Sequence, residues 1–131
     1  MDPADQEWNE KVRALETLIV QWQDLDLSLR ATAAAKMMGL TSSRDLNNWL
    51  NARGLPPYLT LRDWYYVVRL VELCEHTALA KWALDHVRDP SVYSRFIKRV
   101  TGLPWRGLKK RGVAWAKGIA LETWRPYGPR Q

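Results

Sequence analysis

The sequence predicts an all-α protein, and three observations support that prediction. Apolar residues recur at helical spacing in five or six segments, Gly and Pro residues separate these segments, and no stretch shows the strict apolar–polar alternation of a strand. The chain has 131 residues, which is enough for one continuous hydrophobic core. We therefore expect a single domain.

Residues 1–27 are predicted to contain an amphipathic helix that ends near Asp24 and packs on the rest of the domain. Asp2 supplies a capping side chain, and Pro3 suits the first helical position. One face of this helix carries the apolar residues Trp8, Val12, Leu15, Ile19 and Trp22. A dimer seam is the alternative, but two heptads are too short for a stable coiled coil, so we expect a monomer.

Residues 28–119 are predicted to form two helix-turn-helix units that are joined by a connector helix. The first unit, residues 28–54, consists of two helices that meet at a turn containing Gly39. The connector helix is predicted over residues 60–76, with Thr60 as its capping residue.

The second unit is predicted over residues 77–104. Its second helix follows Asp89-Pro90, which again supplies a cap and a proline at the first helical position. A basic C-terminal helix is expected over residues 105–119, and residues 120–131 are expected to be a tail.

The chain repeats itself at an offset of 47 residues, which favours a duplicated helix-turn-helix. Leu46, Trp49 and Leu50 align with Tyr93, Phe96 and Ile97. Both copies end in Gly-Leu-Pro, at residues 54–56 and 102–104, with one residue gained before the second Gly.

The stretch from Asp89 to Pro104 reads DPSVYSRFIKRVTGLP. It resembles the second recognition helix and the closing Thr-Gly-x-Pro of the AraC/XylS-type transcription regulators, and the resemblance covers roughly residues 28–112. This resemblance implies a DNA-binding domain of two helix-turn-helix units. Regulators of that family usually carry a separate effector-sensing domain, and no segment of this sequence is long enough to form one. The resemblance therefore suggests a compact regulator made of the DNA reader alone.

The two units differ from each other at their turns. Ala35 and Gly39 fall where that family places a small helix residue and the turn glycine. At the offset of the repeat, Trp82 and His86 stand at the equivalent positions of the second unit. Either the second turn is built differently or the alignment is out of register there.

Positive charge is concentrated in the C-terminal third of the chain. Residues 1–87 carry 9 Lys/Arg and 12 Asp/Glu, whereas residues 88–131 carry 11 Lys/Arg and 2 Asp/Glu. Such a surface attracts polyanions, chiefly nucleic acid or anionic lipid. Because the basic excess coincides with the family-like recognition helix, we expect the partner to be double-stranded DNA.

Two outward helix faces are predicted to read bases in the major groove. The face in the second unit carries Ser91, Ser94, Arg95 and Lys98, of which Arg95 suits guanine O6 and N7. The face in the first unit carries Ser43, Arg44, Asn47, Asn48 and Asn51, whose amides suit adenine. The connector is expected to place the two readers about one DNA turn, roughly 34 Å, apart.

A second set of residues is predicted to contact DNA phosphates, which sets affinity and register rather than sequence preference. This set consists of Arg30, Arg53, Arg88, Arg99, Arg106, Lys109, Lys110 and Arg111. Few of these cations support the first unit, so weaker and more sequence-dependent contact is expected there.

Other binding functions fit the sequence less well. The main alternative is a protein-interaction module or inhibitor that docks on an acidic protein partner such as an RNA polymerase subunit. Binding of structured RNA is a third hypothesis, although no RNA-binding motif is present. A basic helix from Trp105 to Trp124 lying on a membrane is a fourth, but Gly107, Gly112 and Gly118 weaken it.

The sequence does not favour an enzyme or a metalloprotein. It offers no Ser/His/Asp arrangement, paired carboxylates or Gly-rich phosphate loop. Cys74 with His76 and His86 makes no zinc ligand set, so we expect no cofactor. The acidic, polar start and the lack of an apolar run of eighteen residues favour a cytoplasmic location without membrane contact.

Overall fold

The computed structural model describes residues 2–128, which form eight α-helices, one short 3₁₀-helix and no strand. The prediction of an all-α class is confirmed for this part of the chain. The helices are α1 (Pro3–Ala14), α2 (Glu16–Gln21), α3 (Ala31–Met37), α4 (Ser43–Ala52), α5 (Tyr58–Leu73), α6 (Leu79–Asp85), α7 (Pro90–Thr101) and α8 (Trp105–Trp124), and the 3₁₀-helix is Arg125–Tyr127.

The N-terminal segment forms two helices, α1 and α2, rather than the single helix that we predicted. The helix breaks at Leu15, whose backbone has φ −102° and ψ 16° and whose side chain is buried. The ring of Trp8 stacks on Trp124 at a centroid distance of 5.1 Å and on Tyr65 at 6.3 Å. These aromatic contacts fix α1 against α8 and α5, because buried rings contribute large apolar areas.

Helix α5 forms the centre of the core, and it packs along α8. All residues from 61 to 68 are buried, so this helix is more than a connector between two units. It begins at Tyr58 and not after Thr60, because Asn47 Oδ1 accepts a hydrogen bond from the Tyr58 backbone N–H at 3.0 Å. Asn47 thus satisfies one of the free donors at the start of the helix.

A buried ion pair lies on α5. Arg62 Nη2 and Asp63 Oδ1 are 2.7 Å apart, and the two side chains are only 5% and 11% exposed. Arg62 Nη1 also donates to the Leu29 carbonyl at 2.8 Å, and Arg99 Nη1 of α7 lies 3.3 Å from Asp63 Oδ2. The Asp63 carboxylate therefore joins α5 to α7.

Helix α8 extends beyond the predicted end at residue 119. Ala120, Leu121 and Trp124 are buried, so the first five residues of the segment predicted as a tail belong to this helix and contribute to the core. The helix is kinked at Gly112, whose φ of 88° and ψ of 174° are not helical. Of the predicted tail, residues 129–131 lie outside the described part of the chain.

Helices α3 and α4 form the first helix pair, which is joined by a turn over residues 38–42. Gly39 has φ +76°, and the backbone N–H of Leu40 donates to the Ala35 carbonyl at 2.8 Å. Gly39 thus has the left-handed backbone conformation that glycine favours at the end of a helix. Together with the hydrogen bond from Leu40 to Ala35, it caps α3 at its C-terminus.

Helices α6 and α7 form the second helix pair, whose turn over residues 86–89 is one residue shorter. Val87 has φ +55°, and the Arg88 N–H donates to the Ala83 carbonyl at 2.8 Å. The helix and turn therefore repeat at an offset of 48 residues, although the following helices start 47 residues apart. Trp82 and His86 are thus one residue away from the true equivalents of the first turn.

We expect Val87→Gly to raise the free energy of unfolding by up to about 1.5 kcal/mol. A side chain at positive φ costs roughly 1–2 kcal/mol, and the extra chain entropy of glycine offsets about 0.5–1 kcal/mol of that gain. Val87 is 93% exposed, so its removal sacrifices little packing. Urea denaturation measures the change.

The matched control is Gly39→Ala, since an added Cβ there meets no atom within 4 Å. This change should lower the free energy of unfolding by about 1 kcal/mol through the backbone alone. A destabilised Val87→Gly variant would mean that Val87 makes a stabilising contact.

Candidate nucleic-acid interface

The outer face of α7 is polar and the inner face is apolar. Tyr93, Phe96 and Ile97 are buried against the core. The four residues predicted to read bases from this helix are all exposed: Ser91, Ser94, Arg95 and Lys98. The core thus holds α7 by one side and leaves the opposite side open to a partner.

The start of α7 is fixed by Asp89, whose side chain accepts a hydrogen bond from the Ser91 backbone N–H at 2.9 Å. The Ser91 backbone N–H has the largest effect on the pKa of the Asp89 carboxyl, which it lowers by a hydrogen bond. The Ser91 hydroxyl lowers this pKa further, and the positive charge of Arg95 adds a smaller effect. This carboxylate is therefore charged at neutral pH and caps the helix.

The first half of α8 adds more cations beside α7. Arg106, Lys110 and Arg111 are exposed, and Lys109 is half-buried. Within residues 2–128, none of these four side chains forms an ion pair with a carboxylate, and neither do Arg95 and Lys98. We call these six residues the basic surface: Arg95, Lys98, Arg106, Lys109, Lys110 and Arg111.

A groove of about 400 Å³ is lined by polar residues of both α7 and α8. Ser94 of α7 lines this groove with Arg106 and Lys109 of α8, and the Trp105 ring forms part of its wall. Residues that carry a hydroxyl and two positive charges thus line one depression, where Lys109 Nζ also donates to the Thr77 carbonyl at 3.5 Å.

Four of the predicted phosphate contacts also bond within the protein: Arg53, Arg88, Arg99 and Lys109, whose Nζ donates to the Thr77 carbonyl at 3.5 Å. Arg88 Nη1 donates to the Tyr93 hydroxyl at 2.7 Å and to the Leu25 carbonyl at 3.1 Å, so this nitrogen is engaged inside the protein. Arg99 is anchored by Asp63, although its side chain remains 63% exposed. The exposed part of the Arg99 side chain is therefore available to a partner, whereas Arg88 Nη1 is occupied by internal hydrogen bonds.

The first helix pair presents a different surface. Asn47 was predicted to face outward, but it is half-buried and caps α5 through the hydrogen bond to Tyr58. The Arg53 guanidinium lies 3.7 Å from the Trp49 ring centroid and donates to the Trp49 carbonyl at 3.0 Å. Of the other residues predicted for this unit, Ser43 is half-buried, and those exposed are Arg30, Arg44, Asn48 and Asn51.

The sequence interpretation missed two residues that shape these surfaces. Asp63 positions Arg99, but nothing in a local pattern indicates a carboxylate buried in the central helix. Asp45 is exposed in the first turn of α4 beside Arg44, where it removes the positive charge of that face. Its position three residues after Ser42, whose hydroxyl accepts from the Asp45 N–H at 3.1 Å, is a capping signal that the sequence does contain.

No protein-family model, no curated protein and no solved structure matches the chain. The resemblance to AraC/XylS-type regulators therefore remains a prediction. Among residues 2–128, no helix combines the length and the apolar character that crossing a membrane requires.

Proposed function

We propose that the protein binds double-stranded DNA and acts as a transcription regulator. The observation that carries this proposal is the basic surface, where six cations without a carboxylate partner among the described residues lie on and beside the polar face of α7. In this proposal the helix pairs act as helix-turn-helix units, the site of action is the cytoplasm, and RNA polymerase is a further candidate partner.

The chemistry of α7 suits the major groove. Arg95 offers a planar fork for guanine O6 and N7, and Ser91 and Ser94 are short donors that fit close to base edges. Arg106, Lys110 and Arg111 supply charges that attract phosphates without selecting a sequence. The exposed positions of all these side chains support a division into base reading by α7 and phosphate binding by α8.

The proposal is tested by fluorescence anisotropy with a labelled DNA duplex at increasing salt. If four to six phosphates are contacted, the affinity should fall with a slope of about −4 to −5 in log–log form. Weak, salt-insensitive binding, or stronger binding to an RNA duplex of the same length, would argue against the proposal.

We expect Arg95→Ala to relax the base preference and to reduce the affinity for a preferred duplex about 5- to 150-fold, which corresponds to roughly 1–3 kcal/mol. Arg13→Ala is the matched control, because Arg13 is an exposed arginine on α1, away from α7. Competition with duplexes that differ at single base pairs measures both variants. If Arg95→Ala bound DNA with unchanged affinity and base preference, α7 would not be the helix that reads bases.

One observation favours a protein partner as a second function. Three large apolar residues around the turn of the second helix pair are exposed, namely Leu84, Val87 and Val92. Exposed apolar clusters often mark protein contacts. If the protein also has this function, Leu84→Ser should impair transcription regulation in cells, while the purified variant should bind DNA with normal affinity.

A further inference from the structure

The two helix pairs offer DNA very different surfaces, although the sequence predicts a base reader in each. We infer that only the second pair reads base sequence, so that the preferred DNA site contains one short sequence block instead of two blocks one turn apart. This inference rests on the proposed DNA binding and specifies which helix carries its sequence preference.

Charge distinguishes the outer faces of α4 and α7. The exposed charged residues of α4 are Arg44 and Asp45, which cancel each other. The exposed charged residues of α7 are Arg95, Lys98 and Arg99, all of which are cationic. A reading helix must approach the phosphates on both sides of the groove. Counting also the exposed caps, Arg53 after α4 and Asp89 before α7, α7 carries the larger positive charge, so α4 is the poorer candidate.

The polar groups of α4 are also less available. The Asn47 amide oxygen is already bonded to the Tyr58 N–H, and losing that bond would leave a donor at the start of the central helix unsatisfied. Arg53 packs on Trp49 and bonds its carbonyl. On α7 the Ser91 hydroxyl bonds to Asp89 and Lys98 Nζ donates to the Gly102 carbonyl at 3.0 Å, but among the described residues no intramolecular bond engages the side chains of Ser94 and Arg95.

The end of α4 also faces another part of the same chain. A cleft of about 560 Å³ is lined by residues 51–54 and by residues 126–128. Asn51 therefore lines the same cleft as the segment that follows α8, and Tyr127 of that segment is 43% exposed. A DNA duplex that contacted Asn51 would therefore come close to this segment as well.

Selection of bound sequences from a random duplex pool tests the inference, with three proteins compared: the unaltered chain, Asn48→Ala/Asn51→Ala and Arg95→Ala. The unaltered chain and the double variant should enrich the same single block, and Arg95→Ala should lose the preference at one base position or more. The melting temperatures of the three proteins, measured in parallel, show that each is folded.

The other outcomes separate this inference from the proposed function. Two blocks one turn apart, or a motif that shrinks in the double variant, would overturn the single-reader inference and leave DNA binding intact. Binding without any enriched sequence would also overturn it, because no helix would then read bases. No binding to any duplex would overturn the proposed function as well.

Discussion

Replacing Asp63 by alanine is expected to lower the free energy of unfolding by about 3–5 kcal/mol, the usual cost of breaking a buried ion pair from one side. The change leaves Arg62, a side chain that is only 5% exposed, without its carboxylate partner. It also removes the contact from Asp63 to Arg99 and so loosens the link between α5 and α7. Urea denaturation followed by circular dichroism measures the effect.

Asp85→Ala provides the matched control for this experiment. Asp85 pairs with Lys81 at 3.2 Å, but both side chains are well exposed at 60% and 70%. An exposed pair of this kind contributes less than about 1 kcal/mol because solvent screens the charges. If the Asp63 and Asp85 variants lost similar stability, the buried pair would contribute no more to the stability of the fold than an exposed pair does.

The largest expected effect on DNA binding comes from removing three cations of α8 together, in the variant Arg106→Gln/Lys110→Gln/Arg111→Gln. Each lost phosphate contact should reduce the salt slope by about 0.9, and at about 0.1 M salt each should lower the affinity roughly eightfold. The triple variant should therefore bind about 500-fold more weakly if the three contacts are independent. Anisotropy titrations at several salt concentrations give both values.

A control triple variant removes the same charge from another surface. Lys11→Gln/Arg13→Gln/Arg69→Gln also replaces one lysine and two arginines, but on α1 and α5. Its affinity and salt slope should stay close to those of the unaltered chain, because distant charges are screened at this salt concentration. Equal losses in the two triple variants would show that net charge alone, and not the basic surface, governs binding.

The sequence predicts the features of this fold that depend on local signals. Asp89-Pro90 marks the start of α7, and the spacing of Tyr93, Phe96 and Ile97 indicates its buried face. Each of these signals acts within one helical turn. The outward position of Arg95 follows from the same pattern, so the candidate site on α7 was accessible from the sequence.

The features that the sequence interpretation missed depend on contacts between distant residues. Asn47 caps a helix that begins 11 residues later, and Arg88 bonds to the carbonyl of Leu25, 63 residues away. No local pattern predicts such contacts, because they exist only after the helices have packed. The extension of α8 to Trp124 has the same origin, since burial of its last turns outweighs the low helix propensity of Gly118.

The most direct measurement of the central claim is a titration of ¹⁵N-labelled protein with a DNA duplex, followed by NMR. We expect amide shifts to concentrate in residues 91–98 of α7 and residues 105–111 of α8, and we expect added salt to reverse them. Shifts centred on α1 and α2, or no shifts at duplex concentrations well above those of the protein, would contradict this claim.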